Sequence, residues 1–181
     1  MEYSMSTKVI RTSQRLAVLL RVVVTLAIAL GIAMLAGSLL APELWKGWIR
    51  HMYPQIADVS DWQVFLLALL ATTQLGLTTM ALWWLARMFT SVSSEEPLSI
   101  EAATHMRRAS RWLLAATIYA MVAQIPASLI ASLNQPEGAR FIALGLSTSH
   151  ASGVLASLVL YAVASIQELA AQVRDDNRQI V

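Results

Sequence analysis

The sequence predicts an all-α fold, an integral membrane four-helix bundle built from a single domain that covers residues 1–181. Two observations support this prediction. The chain is 57% apolar and 13% charged, and that charged fraction is about half the 25% that is typical of soluble domains. The chain also contains four apolar stretches of about 20 residues, the length that a helix needs to cross the hydrocarbon core of a membrane. We therefore expect the surplus apolar surface to face lipid.

The four predicted spans cover about residues 16–40, 64–85, 112–133 and 142–169. The fourth is the least uniform, because the polar run from Ser147 to His150 lies in its first third. A cleavable signal peptide is the alternative for the first span, since basic residues precede it. The uninterrupted apolar run of about 19 residues is longer than the 7–15 residues of a signal core, which favours an uncleaved helix.

The distribution of basic residues predicts that both termini lie in the cytoplasm. Three basic residues lie on one side of the predicted spans, namely Lys46, Arg50 and Arg140. Ten lie on the other side: Lys8, Arg11, Arg15, Arg21, Arg87, Arg107, Arg108, Arg111, Arg174 and Arg178. Cytoplasmic loops carry an excess of Lys and Arg, so the side with ten is expected to be the cytoplasmic one.

The first outer loop carries a helical pattern. Apolar side chains recur at helical spacing in residues 42–53, at Leu44, Trp45, Trp48, Ile49 and Met52. A proline such as Pro42 suits the first turn of a helix. The pattern predicts a short amphipathic helix that lies in the outer interface with its tryptophans at headgroup depth; the alternative is an ordinary loop packed over the bundle.

The cytoplasmic connector, residues 87–111, is the longest polar stretch on the inner side. Its middle, residues 91–97, has the composition of a turn. Ser99 has the character of an N-cap, and Glu101 then falls in the first turn, where the helix dipole favours an acidic residue. We expect a helix that starts near Ile100 and continues into the third span, and a C-terminal tail that extends the fourth.

The sequence shows no catalytic constellation. It lacks metalloprotease, phosphate-loop and nucleophile-elbow motifs, and it has no cysteine. No Asp or Glu lies near the middle of a span, which argues against a proton- or sodium-coupled transporter. His150 would need a second histidine at its depth to hold a haem, and His51 and His105 are expected on opposite sides of the membrane. We therefore predict a non-enzymatic protein with no cofactor.

Two polar side chains within the spans are candidates for a shared role. Gln74 lies about 13 residues before Arg87, and Gln124 lies about 13 residues after Arg111, so both are expected about 20 Å from the cytoplasmic boundary. The two amides would then meet at one level. Either they join the second and third spans by a hydrogen bond, or they bind a substrate in a cavity whose wall is kinked at Pro126.

Small residues predict close helix packing. The fourth span carries small or polar residues every four positions, and the first has two pairs in the same spacing, Ala27 with Gly31 and Ala33 with Gly37. The residues of the fourth span are Ser149, Gly153, Ser157, Tyr161 and Ser165. This pattern favours packing of the first span against the fourth, or self-association. A hydroxyl-lined pore is the third possibility.

The connector resembles the signature of a known family. The sequence Pro97-Leu98-Ser99-Ile100-Glu101-Ala102, followed by Met106-Arg107 and Ala109-Ser110, is similar to that of the family catalogued as domain of unknown function 2975. Glu168 and the ending from Val173 to Val181 resemble the end of that family. The resemblance implies a small bacterial inner (plasma) membrane protein with four spans. It also implies a possible partner, a helix-turn-helix transcription regulator, which is often encoded beside such proteins.

These features give two functional hypotheses. The first is a sensing or regulator-binding role through the connector, with the tail residues Arg174 to Asn177 as a further contact. Its candidate contact residues are Pro97, Leu98, Ser99, Glu101, His105, Arg107 and Arg108. For Arg107 and Arg108, anchoring to anionic lipid of the bilayer is the alternative role. The second hypothesis is a small transporter, or a lipid- or small-molecule-binding protein, with a mid-membrane cavity at Gln74 and Gln124.

Overall fold

The computed structural model describes the backbone of residues 2–52, 56, 58–94, 99–136, 138 and 140–179. Within these residues the chain forms helices joined by short segments, and no strand is present. The helices are α1 (Glu2–Leu40), α2 (Pro42–Met52), α3 (Asp61–Ser94), α4 (Ile100–Val122), α5 (Gln124–Ser132) and α6 (Thr148–Gln179). The prediction of an all-α chain is confirmed.

Four helical stretches are long and apolar enough to cross a membrane, as the sequence predicted. They are Ile10–Leu40, Asp61–Val92, Ile100–Ser132 and Thr148–Arg174, and the third combines α4 with α5. The helices extend beyond the apolar windows because Arg- and Ser-containing turns continue the same helical backbone. The predicted start of the fourth span near residue 142 is wrong, since α6 begins at Thr148.

The four long helices lie side by side in the order α1, α3, α4, α6. Within the described residues, contacts between the four long helices are confined to neighbours in this row. The short α5 contacts α3 and α4, and α2 contacts α1 and α3. We expected the first span to pack against the fourth; instead, the described parts of α1 and α6 share no contact. We call the end that carries α2 the α2 end. We call the end that carries Arg87, Arg107 and Arg108 the basic end.

The contact between α1 and α3 explains why α1 has small residues. Its buried positions recur every seven residues, at Ala17, Val24, Gly31 and Ser38, which is the spacing that keeps one seam facing a partner helix. A Cβ on Gly31 would lie 3.4 Å from the Thr72 methyl carbon of α3. Gly31 therefore faces α3 rather than the fourth span, whereas a Cβ on Gly37 would lie 3.1 Å from Trp45 Nε1 of α2.

The small-residue stripe of α6 faces α4. Ser157, Ala164 and Ala171 are buried at seven-residue spacing. A Cβ on Gly153 would lie 2.5 Å from Thr117 Oγ1 of α4, closer than two unbonded atoms approach. The absence of a side chain at Gly153 thus sets the distance between these two helices.

Pro126 lies just after the break between α4 and α5, at the place where a kink was predicted. A proline has no N–H, so Pro126 cannot donate to the carbonyl of Val122 four residues earlier. α4 ends at Val122 and α5 starts at Gln124. Hydrogen bonding resumes on both sides of Ala123, whose N–H donates to Tyr119 and whose carbonyl accepts from Ala127.

Candidate functional site

A cavity of about 330 Å³ lies at the α2 end, between α2, α3 and α5. Its wall is apolar except at Gln124 and Ser128, and three aromatic side chains, Trp45, Trp48 and Phe141, contribute to it. The remaining lining residues are aliphatic: Met34, Ile49, Ile56, Val64, Leu67, Ala68, Ala71, Ala127, Ala131 and Ala143. This volume falls at the lower end of the range of 300–1,000 Å³ that is usual for small-molecule sites.

The predicted helix in the first outer loop is present as α2, and it covers the cavity. Ile49 is buried in a cluster with Ile56, Val59 and Val64, and Trp45 packs against that cluster. Leu44 and Trp48 on the same helix are exposed. α2 therefore presents apolar side chains both to the cavity and to its surroundings.

Lys46 fastens α2 to the start of α3. Its Nζ lies 2.7 Å from Glu43 Oε1 and 2.6 Å from Asp61 Oδ1. The hydrogen bonds to these two carboxylates, that of Asp61 first, raise the pKa of Lys46 above its ordinary value of 10.5. A charged lysine thus bridges the two helices at neutral pH.

The other wall of the cavity is an extended segment, residues 141–147, which runs beside α5. Polar side chains of α5 hydrogen-bond every second residue of this segment. Gln124 bonds both backbone groups of Gly145, Ser128 Oγ accepts from Ala143 N–H at 2.9 Å, and Ser132 Oγ donates to the Phe141 carbonyl at 3.2 Å.

The register of these bonds follows from geometry. Four residues of helix rise about 6 Å, and two residues of extended chain rise about 6.6 Å, so three side chains at four-residue spacing meet three alternate backbone positions. The remaining apolar side chains of the segment, Ile142, Leu144 and Leu146, are exposed. The segment is therefore extended although its composition predicted a helix.

Gln63 closes the α2 end beside the cavity. It is fully buried, its Oε1 accepts from Ser60 and from Asn134, and its Nε2 donates to the Ile130 carbonyl. One amide thus joins the first turn of α3 to the end of α5. The sequence gives no reason to single out Gln63, because a glutamine next to a span boundary is ordinary.

The expected pairing of Gln74 with Gln124 is not formed. Gln124 bonds to Gly145 and to the Ala120 carbonyl, and Gln74 Oε1 is buried with no hydrogen-bond partner among the described residues. Two contacts set the register of α3 against α4: Trp84 packs against His105, and the Tyr119 hydroxyl donates to the Leu70 carbonyl. In this register the amides of Gln74 and Gln124 are offset along the helices by about nine residues, which is about 13 Å. The prediction that the two amides share one depth is wrong because Arg87 and Arg111, from which the depths were counted, do not lie at one level.

At the basic end, Arg107 and His105 point into the protein. Arg107 forms an ion pair with Glu168 of α6, and its guanidinium carbon lies 5.7 Å from the centre of the Tyr161 ring. His105 is buried, with its Nε2 3.3 Å from Glu101 Oε1. Both were expected on a contact surface; they instead join α4 to its neighbours.

The other connector residues divide into three groups. Ser99 caps α4 as predicted, since its side chain accepts from Ala102 N–H at 3.1 Å. Glu101 and Arg108 are exposed. Pro97 and Leu98 lie outside the described residues, as do the side chains of Asp175 and Asn177 in the tail.

Trp84 is the centre of a cationic cluster between α3 and α4. The guanidinium carbon of Arg108 lies 4.6 Å from its ring centre, and that of Arg87 lies 5.7 Å away. His105 packs on the same indole at 5.4 Å between ring centres. Cations over an indole face are attracted by its quadrupole, which holds both arginines near Trp84.

His150 has a structural role at the start of α6. Its Nδ1 lies 3.2 Å from the backbone nitrogen of Ser147, and the Ser147 carbonyl accepts from the N–H groups of His150 and Ala151. This arrangement resembles a capping box, with His150 in the position usually taken by Glu or Gln. In the part of the chain that the structure describes, no group of three or more acidic or histidine residues is placed to hold a metal ion.

Comparisons with known proteins find no similar family, curated protein or solved structure. The family resemblance of the connector accordingly stays a prediction.

Several residues of the site were missed by the sequence analysis, namely Ser128, Ser132, Phe141 and Gly145. A signal for them exists: Gln124, Ser128 and Ser132 are polar residues at four-residue spacing inside an apolar span. Such a stripe needs a polar partner on one face of the helix. The structure identifies that partner as backbone of the extended segment.

Proposed function

We propose that the protein is a non-enzymatic, multi-pass protein of the bacterial inner membrane that binds a compact apolar ligand, one hydrocarbon chain or a molecule of similar size, in the cavity under α2. The observation that carries this proposal is the cavity itself. It has the volume of a ligand site, and its wall is almost entirely apolar. In this proposal the second of the two sequence-based hypotheses is favoured, with the site moved from mid-membrane to the α2 end.

The distribution of basic residues and the length of the helices support one orientation of the protein in the membrane. The basic end carries Arg21, Arg87, Arg107 and Arg108, as expected of a cytoplasmic surface. From Arg108 to Ser128 the chain runs 20 residues, about 30 Å of helix, which is the thickness of the hydrocarbon core. The cavity then lies at the outer boundary, with α2 in the outer interface and both termini in the cytoplasm.

The chemistry of the wall favours an apolar ligand over a polar one. The polar groups at the cavity, Gln124 and Ser128, are already hydrogen-bonded to Gly145 and Ala143. A polar ligand would compete with these bonds and would lose its own hydration. An apolar ligand leaves them intact and removes its surface from water or from the headgroup region.

The position of the cavity also supports a sensing role. Its wall includes α5, which is joined to α4 through the break at Ala123, and α4 reaches the basic end. A ligand that binds more tightly to one arrangement of α5 against α3 would shift the equilibrium between arrangements. Such a shift would change the tilt of α5 relative to α4.

Native mass spectrometry of the purified chain with dodecanoic acid tests the proposal. We expect one bound molecule per chain in the wild type and at least a tenfold weaker complex in Ala127→Phe, which fills the cavity. Ala29→Phe is the matched control, since Ala29 is an exposed residue of α1 outside the cavity. Equal binding by both variants would contradict the proposal, and the masses of molecules that co-purify from native membranes distinguish a lipid chain from another apolar ligand.

A second candidate function is recognition of a helix-turn-helix regulator at the basic end, as the family resemblance implies. The observation that favours it is the exposed face of the first turn of α4, formed by Ile100 and Glu101, where Ser99 caps the helix and the Glu101 side chain is 58% exposed. Affinity purification in mild detergent with Glu101→Lys tests it, with Arg140→Glu as control. A DNA-binding protein that is lost only with Glu101→Lys would support this role, and identical partners in both variants would count against it.

A further inference from the structure

Two arginines at the basic end lie together with no acidic partner among the residues that the structure describes. Arg87 of α3 and Arg108 of α4 both lie over the ring of Trp84, and both are exposed. Among the described residues neither forms an ion pair, whereas Arg107 is paired with Glu168 and Lys46 with Glu43 and Asp61. Like charges repel, and among the described residues the attraction that offsets this repulsion comes from aromatic rings, Trp84 for both arginines and Trp83 for Arg87. An anion from outside the chain would stabilise the two charges further.

The indole of Trp84 contributes its ring to this place, since its N–H group is not exposed. Its Nε1 is buried and has no hydrogen-bond partner among the described residues. His105 also packs against the indole, with 5.4 Å between the two ring centres. Two guanidinium groups and a rigid indole therefore define a cationic site between α3 and α4.

The depth of the site indicates where its anion comes from. Trp84 and Arg87 lie towards the basic end of the candidate span Asp61–Val92, and Arg108 lies towards the same end of the candidate span Ile100–Ser132. Tryptophan and arginine at the end of a span lie at the level of lipid headgroups. A phosphodiester at this level accepts the planar, forked hydrogen bonds that guanidinium groups donate.

We propose that Arg87, Trp84 and Arg108 form a binding site for the phosphate of an anionic phospholipid in the leaflet at the basic end. The site prefers an anionic lipid to a zwitterionic one, because Arg87 and Arg108 bring two positive charges and no carboxylate of the described residues lies within ion-pairing distance of either. This inference is independent of the cavity at the α2 end, which lies on the opposite side of the proposed membrane.

The test is a native mass spectrometry titration of the full chain with phosphatidylglycerol, and separately with phosphatidylcholine of the same acyl chains. We expect the wild type to prefer phosphatidylglycerol. Arg87→Gln or Arg108→Gln should weaken that preference about fivefold, and both together about thirtyfold. Arg111→Gln is the control, since Arg111 is an exposed arginine of α4 with no ring contact or ion pair among the described residues.

Folding and the source of the anion are checked separately. Arg108→Lys keeps the charge and should retain most of the preference, and circular dichroism should show the same helix content for every variant. An equal loss in Arg111→Gln would overturn the proposal, as would a lipid preference unchanged in the double variant. Stabilisation by inorganic phosphate equal to that by phosphatidylglycerol would assign the site to a soluble anion, and capture of an acidic protein with no lipid preference would assign it to a partner; either outcome overturns the lipid assignment.

Discussion

The carboxamide of Gln124 forms two hydrogen bonds with a single residue, Gly145. Its Oε1 accepts from the Gly145 N–H at 3.0 Å, and its Nε2 donates to the Gly145 carbonyl at 3.1 Å. An amide side chain thereby takes the place of a neighbouring strand for one residue of the extended segment. The segment depends on this pairing because backbone groups near lipid have no water to bond.

We expect Gln124→Leu to lower the free energy of unfolding by about 1–3 kcal/mol, because the backbone groups of Gly145 lose their partner. Gln74→Leu is the matched control. In the part of the chain that the structure describes, Gln74 Oε1 is buried without a hydrogen-bond partner, so replacement of Gln74 should be neutral or stabilising. Unfolding in mixed micelles at increasing denaturant measures both variants, and an equal loss for the two would show that the pairing with Gly145 contributes nothing.

The spacing between α4 and α6 depends on the absence of a side chain at Gly153. A Cβ there would meet Thr117 Oγ1 at 2.5 Å and its Cγ2 at 3.0 Å. Thr117 is branched at Cβ and bonded to the Leu113 carbonyl, so it cannot turn aside without losing that bond. We expect Gly153→Ala to destabilise the protein by about 1–3 kcal/mol through overpacking.

Gly76→Ala is the control for this substitution. A Cβ on Gly76 in α3 meets nothing within 4 Å, so alanine there should stabilise the helix by up to about 1 kcal/mol. Thermal unfolding in detergent compares the two. The prediction fails if both substitutions move the midpoint temperature in the same direction.

Hydropathy and spacing predicted the four spans, the helix α2 and the cap at Ser99, since these features depend on residues that are close in sequence. The partner of each small-residue face could not be predicted in this way. Gly31 and Gly153 carry the same signal, yet one faces α3 and the other α4. A four-residue spacing of small side chains permits close approach but carries no information about which helix approaches.

The start of α6 and the position of the site were also beyond the sequence analysis. Residues 142–146 are as apolar as the residues of a span. Their extended conformation depends on hydrogen bonds with Ser128 and Gln124 in another helix. The predicted common depth of Gln74 and Gln124 was wrong for a related reason. Arg111 lies level with about Thr78, because the pairing of Trp84 with His105 sets the register, so basic residues did not mark one plane.

Arg107 and Glu168 link α4 to α6 at the basic end, with exposed side-chain fractions of 28% and 29%. A double-mutant cycle with Arg107→Met and Glu168→Met measures this link. We expect a coupling energy of about 1 kcal/mol, because a pair that keeps this much contact with solvent is partly screened. Strictly additive effects of the two substitutions would mean that the ion pair does not stabilise the contact.

Lys46 should control how firmly α2 covers the cavity. It joins Glu43 of α2 to Asp61 of α3, so Lys46→Met should increase amide hydrogen exchange in α2 while exchange in α6 stays unchanged. Arg50→Met is the control, since Arg50 reaches Asp58 only at 3.9 Å and is exposed. An equal increase in both variants would show that α2 is held by its apolar contacts alone.

The pH dependence of this contact has a defined sign. The pKa of Lys46 is raised above 10.5 by the carboxylates of Asp61 and Glu43. A group whose pKa is raised on folding stabilises the folded state fully below its unfolded pKa and loses that contribution as the pH rises through the folded pKa. After correction for intrinsic rates, we therefore expect no rise in the amide exchange of α2 in the wild type between pH 7 and about pH 10, because Lys46 keeps its charge in this range. The exchange should approach that of Lys46→Met only above that range, and a convergence already near pH 8 would contradict the assignment to Lys46.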